Sequence, residues 1–198
     1  HPAGRPSTSR ATRLLLADLL FEGAHFEAAA VEYERAAYGY ASHPEAGRAG
    51  YAALVAYAEA ESRAPAGGRA ELSRRAIESS LKFADVFPTH PETPGVLKRT
   101  AKALFDAGDR DRAESVAQRV LEPATRADAG QQLVAWTVLA HTWFDSARYA
   151  EAERAYGELV RRLPVTDPLQ AEATERLAAA VYRQAEAKQA AGDLMGAV

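Results

Sequence analysis

Apolar and polar residues in this chain never alternate over the four to eight positions that mark a half-buried strand; Val, Ile and Thr are scattered. What recurs is long stretches rich in Ala, Leu, Glu and Arg, interrupted at wide intervals by Pro and Gly. Those residues favour helix, and the interruptions are where a helix has to stop. Breaks fall at Gly23, Pro44, Pro65 to Gly68, Pro88 to Gly95, Gly108, Pro123 to Gly130, Ala147–Arg148, Pro164 to Pro168 and Gly192. The stretches between them are roughly 12 to 22 residues long, a usual span for globular helices. The pattern predicts nine helices in antiparallel order and an all-α chain.

A shorter unit repeats within that pattern: a turn, an aromatic or charged residue, and a small residue three places on. It reads Phe26 to Ala29, Arg110 to Ala113, Tyr149 to Ala152 and Leu194 to Ala197, with a weaker copy centred on Ala76. Spacing between copies is irregular but stays within the length of one helix pair. In the fullest copy Trp136, Leu139, Ala140 and Trp143 are followed by Tyr149, Ala152, Tyr156 and Pro164. A second runs Leu97, Thr100, Ala101, Leu104, Gly108–Asp109, Arg110 and Ala113. The first copy takes Leu15, Leu16 and Leu19, then Gly23, Phe26, Ala29, Tyr33 and Ala36, with one extra residue in the turn.

On these residues the chain resembles tetratricopeptide repeat (TPR) proteins, whose pattern is W-x2-L-G-x2-Y…A-x3-F…P, with Ala here for Gly and aromatic-for-aromatic exchanges. It departs from that pattern in an enlarged loop at Pro65–Gly68 and in Gln184 and Lys188, where apolar residues are expected. The resemblance implies a right-handed superhelical array of antiparallel helix pairs, a TPR-like α-solenoid. Residues 1–10 then form a flexible lead and 11–198 the array. Approximate repeats fall at 11–43, 44–91, 92–129 and 130–167, with a partial fifth at 168–198. Small residues let paired helices approach: Ala140 and Ala152, with Ala29, Ala101 and Ala113, sit at crossings that Trp136, Leu139, Trp143 and Tyr156 fill in. Each pair leaves an apolar face for the next pair to bury. Gly192 to Val198 reads as the turn and opening of another second helix. That implies a segment of a longer protein; a last helix packing as a cap is the alternative.

Composition narrows the function classes. No Cys is present, so there is no disulfide framework and no thiolate metal site. A net charge of −3 argues against a nucleic-acid partner. No apolar run reaches the length of a membrane span. Among the five His, none forms H-E-x-x-H; His25, His43 and His90 fall in predicted turns, where a solvated ring is the default. Gly67–Gly68 lacks the Lys and Ser/Thr of a phosphate loop. Asp109 and Asp111 suit a helix start, and Glu151, Glu153 and Glu158 with Arg154, Arg161 and Arg162 suit a solvated, charge-paired face. The expectation is a non-enzyme with no cofactor, no metal and no catalytic residue.

A protein partner is the remaining expectation. The resemblance implies that the first helix of each pair lines a concave groove. On the third copy the candidates are Lys98, Lys102, Phe105 and Asp106; on the fourth they are Thr137, His141, Phe144 and Asp145. Lys98 and Lys102 are four apart, on one helical face, and are two of only 4 Lys against 20 Arg. Alternatively Phe105 and Phe144 fill the seam between pairs and the lysines are solvated charges. With no Asn in the chain, the family's clamp for a terminal carboxylate is not expected. The linkers Phe87-Pro88-Thr89-His90-Pro91 and Leu163-Pro164-Val165-Thr166-Asp167-Pro168 are similar in style to those of bacterial cell-envelope TPR proteins, the barrel-assembly lipoprotein and the Tol–Pal-associated type. The 46 Ala and the excess of Arg suit a GC-rich bacterium, and the periplasm or envelope is favoured over the cytoplasm. Other roles open to such an array are the substrate-guiding region of a larger enzyme and the regulatory part of a transcription regulator.

Overall fold

A computed structural model describes residues 9–41 and 43–190. Among them are nine α-helices: α1 (Arg10–Glu22), α2 (Phe26–Tyr38), α3 (Ala46–Arg63), α4 (Ala66–Val86), α5 (Thr93–Asp106), α6 (Arg110–Leu121), α7 (Ala129–Asp145), α8 (Tyr149–Arg162) and α9 (Pro168–Ala190). A 3-10 turn at Pro123–Thr125 is the other helical element, and no strand occurs among the described residues. The described chain is all-α, and within each of its two compact units consecutive helices pack on one another as antiparallel pairs. The predicted fifth second helix, Leu194 to Ala197, lies outside the described residues, as do residues 1–8.

Local chemistry explains where helices start. Ser9 caps α1 by accepting from the Thr12 amide, and Asp109 caps α6 by accepting from Arg112. At α7 the Asp128 carboxylate accepts from the Gln131 amide while the Gln131 side chain accepts from the Asp128 amide, a reciprocal capping box. Pro164 follows Leu163, the C-cap of α8, as a residue that cannot continue the ladder.

Three turns within pairs share one geometry. Ala24, Gly108 and Ala147 take left-handed backbone, with φ of 59°, 82° and 57°. The residue after each donates its amide five residues back: His25 to Leu20, Asp109 to Leu104 and Arg148 to Trp143, at 2.8, 3.0 and 2.8 Å. The next helix begins two positions past the left-handed residue in all three, so the first turn holds no extra residue. Ala24, rather than Gly23, matches Gly108. This shifts the first copy by one. Ala17 is fully buried, level with Ala101 and Ala140, and Leu14 and Leu20 pack inward; Leu15, Leu16 and Leu19 are exposed. The small residues of the second helices, Ala29, Ala113 and Ala152, have no exposed surface.

The second pair departs from this plan. Only Ala64 and Pro65 separate α3 from α4, and Gly67 and Gly68 lie in the first turn of α4 rather than in an enlarged loop. Length has gone into the helices, 18 and 21 residues. Ala76 is half-buried at the rim of its cluster, while Ile77, Ser79, Phe83 and Ala84 occupy the interior.

The chain divides into two compact units, the first ending at Thr93 and the second starting at Pro94. In the first, Ala17, Ala29, Ala30, Tyr33, Ala53, Ala56 and Tyr57 make an apolar cluster. Polar ties join its second helices: Arg75 pairs with Glu27 at 3.0 Å and Ser79 donates to Glu34 at 2.6 Å. In the second unit Arg148 of α8 pairs with Glu114 of α6 at 2.8 Å, and Gln184 of α9 donates to Glu153 of α8 at 2.6 Å. Within each unit the helices pack chiefly on their neighbours in the chain, α2 on α1 and α3 in the first and α8 on α7 and α9 in the second, so that successive pairs stack.

Candidate partner-binding face

The eight residues singled out from the sequence lie on α5 and α7 of the second unit. Phe105 reaches from α5 to α7, with its ring 6.0 Å from that of His141. Arg110, the first residue of α6, folds back over Phe105 with its guanidinium 3.9 Å from the ring centre, and donates to the Phe105 carbonyl. Its other arm reaches Asp145 at 3.4 Å. Phe144 stands edge-on to Tyr149 and Tyr156, at 5.5 and 6.3 Å, and Arg176 of α9 sits 5.5 Å above its face. Phe105, His141, Phe144 and Asp145 thus form one seam, knitted by two arginines. Both phenylalanines and His141 are half-buried.

The rest of the set behaves differently. Lys102 is exposed and holds Asp106 at 2.6 Å, one helical turn on. These two charges largely satisfy each other, and such an exposed pair adds little stability. Lys98 is half-buried on the same helix. Thr137 donates its hydroxyl to the Leu133 carbonyl at 2.9 Å. It shares with His141, Tyr156, Leu169 and Glu172 a cavity of about 20 Å³, room for no more than a water.

His141 is the most constrained member. Its Nδ1 lies 3.0 Å from the Tyr156 hydroxyl, and the two rings meet edge-on at 5.7 Å. Burial holds the imidazole below its ordinary pKa. Glu172 and Asp145 oppose that shift, and Arg176 and Arg110 add to it. Burial also pushes the Tyr156 phenol up to about 12. A neutral imidazole and a neutral phenol in contact are a packing pair with a hydrogen bond between them. Among the described residues no group of three His, Asp or Glu is placed to hold a metal ion, and no helix is long and apolar enough to cross a membrane.

Sequence reasoning passed over Arg110, Tyr156, Glu172 and Arg176 as members of the seam. Arg110 carried a signal, since it stands where the other copies have Phe26 and Tyr149. Glu172 and Arg176 carried none; they reach the seam because α9 packs on α8.

No protein-family model matches the chain, and no curated protein matches it either. The chain is similar to a solved structure, the crystal structure of a thermophilic TPR protein from Thermus thermophilus. The two share 18% identity with a TM-score of 0.44, over 87% of this chain and 99% of that one.

Proposed function

We propose that this protein is a non-catalytic interaction scaffold that takes a segment of a protein partner along the α5 and α7 face of the second unit. The observation that supports this is the composition of the seam. Aromatic rings and arginines, the residue types enriched at interface centres, stand half-exposed together on packed helices: Phe105, His141 and Phe144 with Arg110 and Arg176. Lys98, Lys102, Asp106, Thr137 and Asp145 form the polar rim, and side chains on helices hold their geometry better than those on loops. Reversing the charge at Lys98 and Lys102 tests the reading, because both lie outside the packed seam. The double variant keeps its helix content and loses its partner. A bacterial envelope setting is part of the proposal and rests on the paired-proline linkers and the Arg-rich, Lys-poor composition.

A further inference from the structure

The first unit contains a groove whose chemistry the scaffold reading does not use. It lies where the end of α2, the start of α3 and the end of α4 come together, with a volume of about 690 Å³. Small-ligand pockets commonly have volumes of this order. The walls are apolar and aromatic: Tyr38, Tyr40, Val86, Phe87 and the prolines Pro44 and Pro88. Phe87 stacks on Tyr38 at 5.9 Å and against Phe83 at 5.4 Å. Gly47 and Gly50 bring the α3 backbone against this cluster. A methyl at Gly50 would stand 3.1 Å from Phe83, Phe87 and the Tyr38 hydroxyl, and one at Gly47 would stand 2.9 Å from His90.

The polar side chains on this groove are one lysine, two imidazoles and the hydroxyls of Tyr38, Tyr40 and Thr89, which both donate and accept. His43 and His90 open the same sequence, His-Pro-Glu, at the entry to successive pairs. In each, Nδ1 accepts from the amide two residues on, Glu45 at 3.1 Å and Glu92 at 3.2 Å. Nδ1 therefore bears no hydrogen in the neutral ring, which fixes the proton on Nε2 and makes both imidazoles donors there. Lys82 rests its ammonium 4.1 Å from the Tyr38 ring centre. The start of α3 adds partial positive charge, while the ends of α2 and α4 at the same groove add partial negative charge, so the cationic character rests on Lys82 and the two imidazoles. Against these, no Asp or Glu is among the lining residues, in a chain that carries 27 of them. The acids closest to it are Asp85, beside Val86 in sequence, Glu34, which acts on the Tyr38 phenol, and Glu45, which pairs with Arg48 at 3.1 Å.

We infer that this groove binds a small organic anion, a carboxylate borne on an aromatic body, with the ring against Tyr38, Phe87 and Pro88 and the carboxylate taken by Lys82, His43 and His90. An amide of the same shape brings donors to donors and loses the charge attraction. Acidic peptide is a different class of ligand: it would contact Lys82 but would leave the closed aromatic wall unused.

Isothermal titration of the whole chain with phenylacetate and indole-3-acetate tests the assignment, with phenylacetamide and an acidic hexapeptide as the other arms. Saturable binding of at least one acid at roughly millimolar concentration or below is expected, with the amide about tenfold weaker. Lys82→Glu, an exposed position, weakens the acid by at least about tenfold at unchanged helix content, and Lys82→Gln does so to a lesser degree. Lys98→Glu leaves it unchanged, which separates this site from the α5 and α7 face. The inference fails if neither acid binds, if amide and acid bind alike, if Lys82→Glu retains affinity, or if the hexapeptide binds more tightly than both acids.

Discussion

Single residues set the spacing of this array. Ala24 and Ala147 hold a left-handed conformation that costs a side chain with a Cβ, while Gly108 holds it freely. Ala147→Gly should therefore stabilise the chain by about 1 kcal/mol, and Gly108→Ala should destabilise it by about the same amount. Opposite shifts in melting temperature check the pair; equal signs would mean the turns are not equivalent. At the crossing itself Ala152 has no exposed surface. Ala152→Leu should overpack it and cost roughly 1–3 kcal/mol, measured by denaturant unfolding, and an unchanged midpoint would contradict the packing described. The same residues show what was legible in advance. Ala29, Ala113 and Ala152 were readable because a small residue follows each turn at a fixed offset. Leu15, Leu16 and Leu19 misled because hydrophobicity outweighed turn geometry in placing the first copy. A positive φ at an alanine leaves no mark in sequence, so Ala24 could not be seen as the counterpart of Gly108.

Among elements, the interest lies in how α7, α8 and α9 share His141. Its ring is kept neutral by burial against Tyr156, with Glu172, Arg176, Asp145 and Arg110 around it. The folded chain therefore binds this proton less readily than the unfolded chain, in which an imidazole titrates near about 6.5. The stability that the neutral ring contributes is complete above that value and is lost as pH falls through and below it. Melting temperature should drop between about pH 7.5 and about pH 5, and His141→Gln should show a smaller drop over the same range. An identical profile would mean that His141 is not among the groups responsible. Helix boundaries were largely legible, since Pro and Gly mark most of them. Gly67 and Gly68 were the exception: Pro65 marked the break, but glycine is tolerated in a first helical turn, so the link is Ala64–Pro65 alone. The seam was half legible. Phe105, His141, Phe144 and Asp145 follow from helical spacing, but Arg110, Glu172 and Arg176 arrive through tertiary packing.

At the scale of the whole molecule, the chain has two units of stacked helix pairs, and the proposals assign each its own chemistry. The second unit offers an aromatic and arginine seam with a charged rim; the first offers a groove lined by a lysine and two imidazoles, without a carboxylate. The central claim is that the α5 and α7 face takes a protein partner. Its most direct test is quantitative affinity capture from native cells with the full chain, comparing wild type with Lys98→Glu/Lys102→Glu. Arg154→Glu/Arg183→Glu, on exposed positions of α8 and α9, serves as a control of equal charge change. The account predicts that the Lys98/Lys102 variant recovers at least about tenfold less partner while the control recovers as much as wild type. Equal recovery by all three proteins, with circular dichroism and melting unchanged, would contradict it.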